Sequence, residues 1–90
     1  MSKAKLRMVK VILHWVWDPI GVRGIEGAVD EYGAYAPQVL KLLERGSSDA
    51  EVAAYLRRVE SEWMELQPHR DRSEDVAALL TQMHAVLTEH

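Results

Sequence analysis

The chain has no cysteine, no phenylalanine and only three prolines in 90 residues. Without cysteine there are no disulfides and no thiolate ligands, which excludes a disulfide-stapled scaffold and any Cys-based zinc site. The composition fits a reducing compartment, and the cytoplasm is the expected address. Long hydrophobic runs are missing too. The apolar stretch near the start is broken by His14 and ends at Asp18, well short of the roughly 20 residues needed to cross a bilayer. Lys3, Lys5, Arg7 and Lys10 accompany it, as in a secretion signal, but no small-residue cleavage site follows. A membrane is therefore not an expected partner.

Positive charge is outnumbered, with 11 Lys and Arg against 14 Asp and Glu, and the formal net charge is −3. Its distribution says more than its sum. Residues 1–23 hold five basic groups and one acidic group, whereas residues 73–90 hold Glu74, Asp75 and Glu89 with no Lys or Arg. The two ends attract, which favours the first and last elements lying side by side. A mildly acidic chain with four basic residues at one end gives nucleic-acid binding little support.

What the chain does have is helical periodicity, within a length that makes one domain. In "DAEVAAYLRRVESEWMEL", Val52, Leu56, Val59, Trp63 and Leu66 recur at spacings of four and three, the stripe of an amphipathic helix over 49–66. Ser48 and Glu51 form a capping box ahead of it, and Pro68 ends it. Arg57, Arg58, Glu60, Glu62 and Glu65 are assigned to its solvent side. A second stripe, Val76, Leu80, Met83 and Leu87, widened by Leu79 and Val86, predicts a helix over 73–89. Asp71 or Ser73 is its expected cap, and Glu74 and Asp75 suit its positive end. The short polar "QPHRDR" between them makes the two antiparallel neighbours. "PQVLKLLERG" reads as a shorter helix over 37–45, with Pro37 in its first turn, Val39, Leu40, Leu42 and Leu43 buried, and Gly46 closing it.

Residues 3–17 are the hardest to place. "MVKVILHWVW" has the Val, Ile and Trp content of a strand, but every other segment is helix or loop. A lone strand would leave its backbone groups unpaired, so a helix is favoured, with Leu6, Val9, Leu13 and either Val16 or Trp17 on its buried side. Trp15 and Trp17 then diverge, because each helical residue advances about 100°. One indole joins the core and the other needs cover. Asp18 and Pro19 terminate the helix, and Ile20 and Val22 are placed to fold back over a ring. Residues 18–30 form a loop with glycine at 21, 24 and 27, a spacing that matches neither GxGxxG nor GxxxxGK[ST]. The predicted architecture is all-α: a compact antiparallel bundle of about four helices, with a further helical turn around Asp30 to Tyr35.

"WDPIGV", followed by "DEYGAYAPQVLKLLERGSSDAEVAAYLRRVESEWMEL", resembles a family of small bacterial proteins. Its pattern is WDP-I/F-G, then D-E-Y-D-x-Y-x-P, a short leucine-rich helix, and a longer helix ending in an M-G-L-like segment. The resemblance covers residues 15–66. Gly33 stands where that pattern has an acidic residue, which removes a carboxylate from any metal-binding role, and Glu65 stands where it has a glycine. What the resemblance implies is an all-helical fold in a soluble bacterial protein. It implies no activity.

Chemistry-bearing constellations are sparse. His14, His69, His84 and His90 show no ligand spacing, and no serine sits in a nucleophile elbow. An enzyme reading would recruit Asp18, Glu26 and Asp30 as acids or as ligands of a hard cation, though nothing in the sequence brings Asp18 to the other two. No metal or cofactor is expected. All six aromatic residues are Trp or Tyr, rings with a polar tip that suit a partly wet interface. The expected function is a non-enzymatic protein-interaction module whose partner is another protein or a second copy. Its contact surface is assigned to Trp15, Trp17, Asp18, Pro19, Tyr32 and Tyr35. The alternatives are an immunity- or antitoxin-like inhibitor of a toxin and a small carboxylate- or metal-dependent hydrolase.

Overall fold

A computed structural model describes residues 3–17, 32–63 and 70–88. Among them the regular structure is helical throughout, as the stripes require. Helix α1 spans Lys3–Ile12 and passes into a π-helical turn, Leu13–Trp17. Helix α2 is Ala36–Glu44. Helix α3, Asp49–Arg58, also passes into a π-helical turn, Val59–Trp63. Helix α4 is Arg70–Thr88. The predicted clasp and loop over 18–30 lie outside the described residues, as do Leu66 and Pro68.

Local signals set most boundaries. Tyr35 N–H donates to Tyr32 O at 3.0 Å and Ala36 N–H to Gly33 O at 3.3 Å, so a hydrogen-bonded turn over 32–35 leads directly into α2; the first part of the turn expected around Asp30 to Tyr35 lies outside the described residues. At its other end Gly46 adopts φ +81°. Its N–H donates to Leu43 O at 3.1 Å, and Ser47 N–H donates to Leu42 O at 3.0 Å. This is the paired closure that satisfies the last carbonyls of a helix and needs a left-handed residue between them. Ser48 then caps α3: its Oγ accepts from Glu51 N–H at 3.2 Å while Glu51 Oε1 accepts from Ser48 N–H at 3.1 Å.

Helix α4 starts three residues earlier than its stripe suggested. Asp71 and Ser73 are consequently inside the helix and not at its cap. Ser73 shares the buried side with Val76, Ala77 and Leu80, and Arg57 Nη1 donates to its Oγ at 3.3 Å. Hydrogen-bonded burial of Ser73 displaces it from the capping role.

Side-chain contacts give the helix directions. Thr81 Oγ1 lies 2.6 Å from Asp49 Oδ1 and Arg57 reaches Ser73, so α3 and α4 are antiparallel, as expected. Lys5 and His84 meet at one carboxylate, with Lys5 Nζ 3.6 Å from Glu44 Oε1 and His84 Nε2 3.4 Å from Glu44 Oε2. At the other end Trp17 reaches Glu60, one turn beyond Arg57, and α1 therefore runs antiparallel to α4. First and last helices do pack together, but the described ion pair of α1 goes to α2.

The core is formed by Val9, Leu13 and Trp17 from the first helix, Val39, Leu40 and Leu43 from α2, Val52, Leu56 and Val59 from α3, and Val76 and Leu80 from α4. Between Val16 and Trp17, the structure selects Trp17 for the core; Val16 is exposed.

Candidate functional site

Two features built on the first helical segment have the character of a site: a buried aromatic and carboxyl knot at its far end, and an open apolar groove along its length. The knot depends on how α1 finishes. A π turn closes its hydrogen bonds five residues apart, so each residue advances less than in an α-helix. Trp17 thereby stays on the side of Leu13 and is fully buried, while Trp15 is 50% exposed. The two indoles diverge as the helical reading requires.

Trp17 anchors the knot. Its ring lies 5.4 Å from that of Tyr32 at 56° and 6.4 Å from that of Tyr35 at 88°, within the tilted and edge-on geometries that aromatic pairs favour. Its Nε1–H donates to Glu60 Oε1 at 2.6 Å. Glu60 is only 2% exposed, which corrects its assignment to the solvent side of α3. The physical reason is position: Glu60 follows Leu56 by four residues, on the inward face, and a buried carboxyl is tolerable there because a donor meets it. His14 is also buried, with its ring edge-on to Trp15 at 4.7 Å and its Nδ1 without a hydrogen-bond partner among the described residues.

The groove runs between α1 and α4. It is open to the surface, with a volume of about 540 Å³, and is lined by Ala4, Met8, Val11 and Ile12 with Arg7 on one side, and by Leu79, Met83 and Leu87 on the other. Ala4, Met8, Val11 and Trp15 recur at spacings of four, three and four, a second apolar stripe beside the one that faces the core. Val11 is 48% exposed, and Val86, one turn from Met83, is 47% exposed. The walls offer apolar contact area and no convergent polar groups, which is the character of a docking surface.

Perturbed ionisation lies away from the groove. Glu51 is held below the ordinary carboxyl range by the Ser48 backbone N–H and then by the Ser48 hydroxyl. Tyr55 is pushed above the ordinary phenol value by burial and then by the charge of Tyr35. Among the described residues no three His, Asp or Glu side chains gather as a cation site, and no helix is long and apolar enough to cross a membrane.

The six residues assigned to a contact surface separate. Trp17 and Tyr32 are enclosed in the core, Tyr35 is half-buried, and Trp15 alone is largely exposed. Asp18 and Pro19 lie outside the described residues, as do Glu26 and Asp30 of the hydrolase reading. Sequence reasoning missed the groove and Glu60. The signal for the groove was the second stripe on α1, and for Glu60 its four-residue offset from Leu56.

No family model, no curated protein and no solved structure matches the chain.

Proposed function

We propose that the protein is a non-enzymatic interaction module that receives an apolar segment of a partner in the groove between α1 and α4, with Trp15 extending the contact beyond its end. The observation that carries this reading is the stripe Ala4, Met8 and Val11, which faces Leu79, Met83 and Leu87 across open space and is continued along the helix by the half-exposed Trp15. Burying a Val, Leu or Met side chain fully contributes roughly 1.5–3 kcal/mol, so leaving several partly exposed sacrifices stability that a closed bundle would keep. A half-exposed tryptophan adds large contact area with little rotamer freedom to lose, the usual composition of a binding hot spot. The wall methionines, Met8 and Met83, adapt to differently shaped apolar surfaces.

The test uses a helical peptide with a leucine face and a glutamine outer face, titrated against the wild-type chain. Saturable binding is expected, weakened in Trp15→Ala and abolished in Val11→Asp and Met83→Asp, all three keeping the wild-type circular dichroism spectrum. Binding that survives both Asp substitutions, or no binding by peptides of any outer-face charge, overturns the assignment.

A further inference from the structure

We propose that the segment this groove takes is an acidic amphipathic helix, with an apolar face for the groove and Asp or Glu along one edge. The inference rests on the docking role proposed above and specifies the chemistry of the partner.

The charge argument comes from a third stripe on α1. Lys3, Arg7 and Lys10 recur at spacings of four and three and are all exposed. Arg7 lines the groove itself, and residues four before and three after it share its face of the helix. The outer edge of the α1 wall is therefore continuously basic, in a chain whose net charge is −3. The remaining lysine of α1, Lys5, sits on another side beside Glu44. Among the described residues no carboxylate pairs with Lys3, Arg7 or Lys10. A partner with carboxylates along one edge would fill that vacancy in charge and fix its own register.

The helical form of the occupant follows from the walls. Both are helices, whose backbone groups are already bonded internally, so the groove offers no strand edge. An extended peptide would bury amide groups without partners, whereas a helix satisfies its own. From Ala4 to Trp15 the apolar stripe spans about 16 Å at about 1.5 Å per residue, which is three turns of a docked helix.

Two other occupants fit less well. Among the described residues a second copy supplies no equivalent helix: the exposed positions of α3 mix Asp49, Glu51 and Arg58 with only small apolar residues between them, and on α4 Glu74 and Asp75 are about three turns from Val86. A lipid surface also attracts basic amphipathic helices, but insertion needs an apolar ridge that projects. Here the apolar residues line a concavity between two helices.

The experiment compares three peptides of about 14 residues, long enough for the stripe plus frayed ends. All carry the same leucine face, with Glu, Gln or Lys along its edges. Binding to the full chain is measured at low and high salt, alongside sedimentation of the chain alone and its binding to phosphatidylcholine–phosphatidylserine vesicles. The Glu peptide is expected to bind about tenfold more tightly than the Lys peptide, with Gln between them and the preference shrinking at high salt. Arg7→Glu with Lys10→Glu should reverse the order while circular dichroism stays unchanged. Equal affinities for the three peptides overturn the acidic partner and leave the docking role standing. A tighter Lys peptide, stronger binding to vesicles than to any peptide, or self-association abolished by Met83→Asp each overturns the proposal as well. Failure of every peptide removes the docking role along with it.

Discussion

Trp17 and Glu60, 43 positions apart in sequence, are joined by an indole N–H donated to a carboxyl oxygen at 2.6 Å, with both side chains buried. Each lies in a π turn that finishes a regular helix, so the bond ties the end of the first helix to the end of the third. Replacing Trp17 with Phe keeps most of the ring and removes the donor. The buried carboxyl then loses one partner, at a cost of about 1–3 kcal/mol plus the lost ring volume. Glu60→Gln retains an acceptor and is expected to cost less than Glu60→Leu, which strands the indole N–H. Urea unfolding of Trp17→Phe, Glu60→Leu and the double variant should show coupling of about 0.5–3 kcal/mol; additive losses would mean that the bond contributes nothing of its own.

Much of this fold was legible because α2 and α3 obey single-period rules. Val39, Leu40, Leu42 and Leu43 are all buried, Ser48 and Glu51 cap as their spacing indicates, and Gly46 takes the positive φ that ends a helix. The helix over 3–17 was inferred from the lack of any strand to pair with, and it formed. What periodicity concealed was the change of phase in the π turns and the competition between two stripes on one helix. The first helix has apolar residues facing the core and a second set facing the groove, and a search for one buried side finds only one of them. Charge concealed Glu60, since an inward-phased glutamate reads as solvent-facing until its donor is known. Trp17 and Tyr32 were placed on a surface because aromatic residues suit interfaces, yet they suit the closed end of a small bundle equally well.

The capping box sets an acid limb of stability. Glu51 ionises at lower pH in the folded chain than its ordinary value of 4.5 because it accepts from Ser48. A depressed carboxyl stabilises the fold above its unfolded pKa, and that contribution disappears as pH falls through the folded value. Ser48→Ala removes the hydroxyl that accepts from Glu51 N–H. Thermal unfolding at neutral pH should show a Tm lower by about 4–8 °C. Between pH 4.5 and lower values the wild-type chain should lose stability faster than the variant. Parallel curves would show that the box does not couple to protonation.

Tyr55 sets the opposite limb. Burial, then the Tyr35 charge, raises its folded pKa above 10.0. The unfolded chain therefore ionises first as pH climbs. This contribution is fully present below the unfolded pKa and is lost as pH rises through the folded one. Tyr55→Phe abolishes the titration and keeps the ring. Its stability should fall less between pH 9 and 11 than that of the wild type, with absorbance near 295 nm, where ionised phenols absorb, reporting the tyrosine titration. An equal fall in both chains would assign the alkaline limb to other groups.

Gly46 isolates a pure backbone effect. At φ +81° an added Cβ meets no atom within 4 Å, so Gly46→Ala incurs only the left-handed conformational cost, about 1–2 kcal/mol. Asn tolerates that region better, and Gly46→Asn should recover part of the loss. Equal destabilisation by Ala and Asn, measured by urea unfolding, would point to a steric origin that the open surroundings of Gly46 do not provide.

The two tryptophans of "HWVWDPIGV" should report their different surroundings directly. Trp15 is half exposed and Trp17 fully buried, so in a Trp63→Phe background the emission lost on Trp15→Phe should be the fraction that acrylamide quenches readily, and that lost on Trp17→Phe the protected one. Truncation should separate them further. Trp17→Ala opens a core cavity at a cost of about 3–5 kcal/mol, a large part of the total for a chain of this size, whereas Trp15→Ala should stay within about 0.5 kcal/mol of wild type. If the Trp15→Ala chain lost several kcal/mol, the exposed indole would have to be covering core surface, and its role in docking would give way to a structural one.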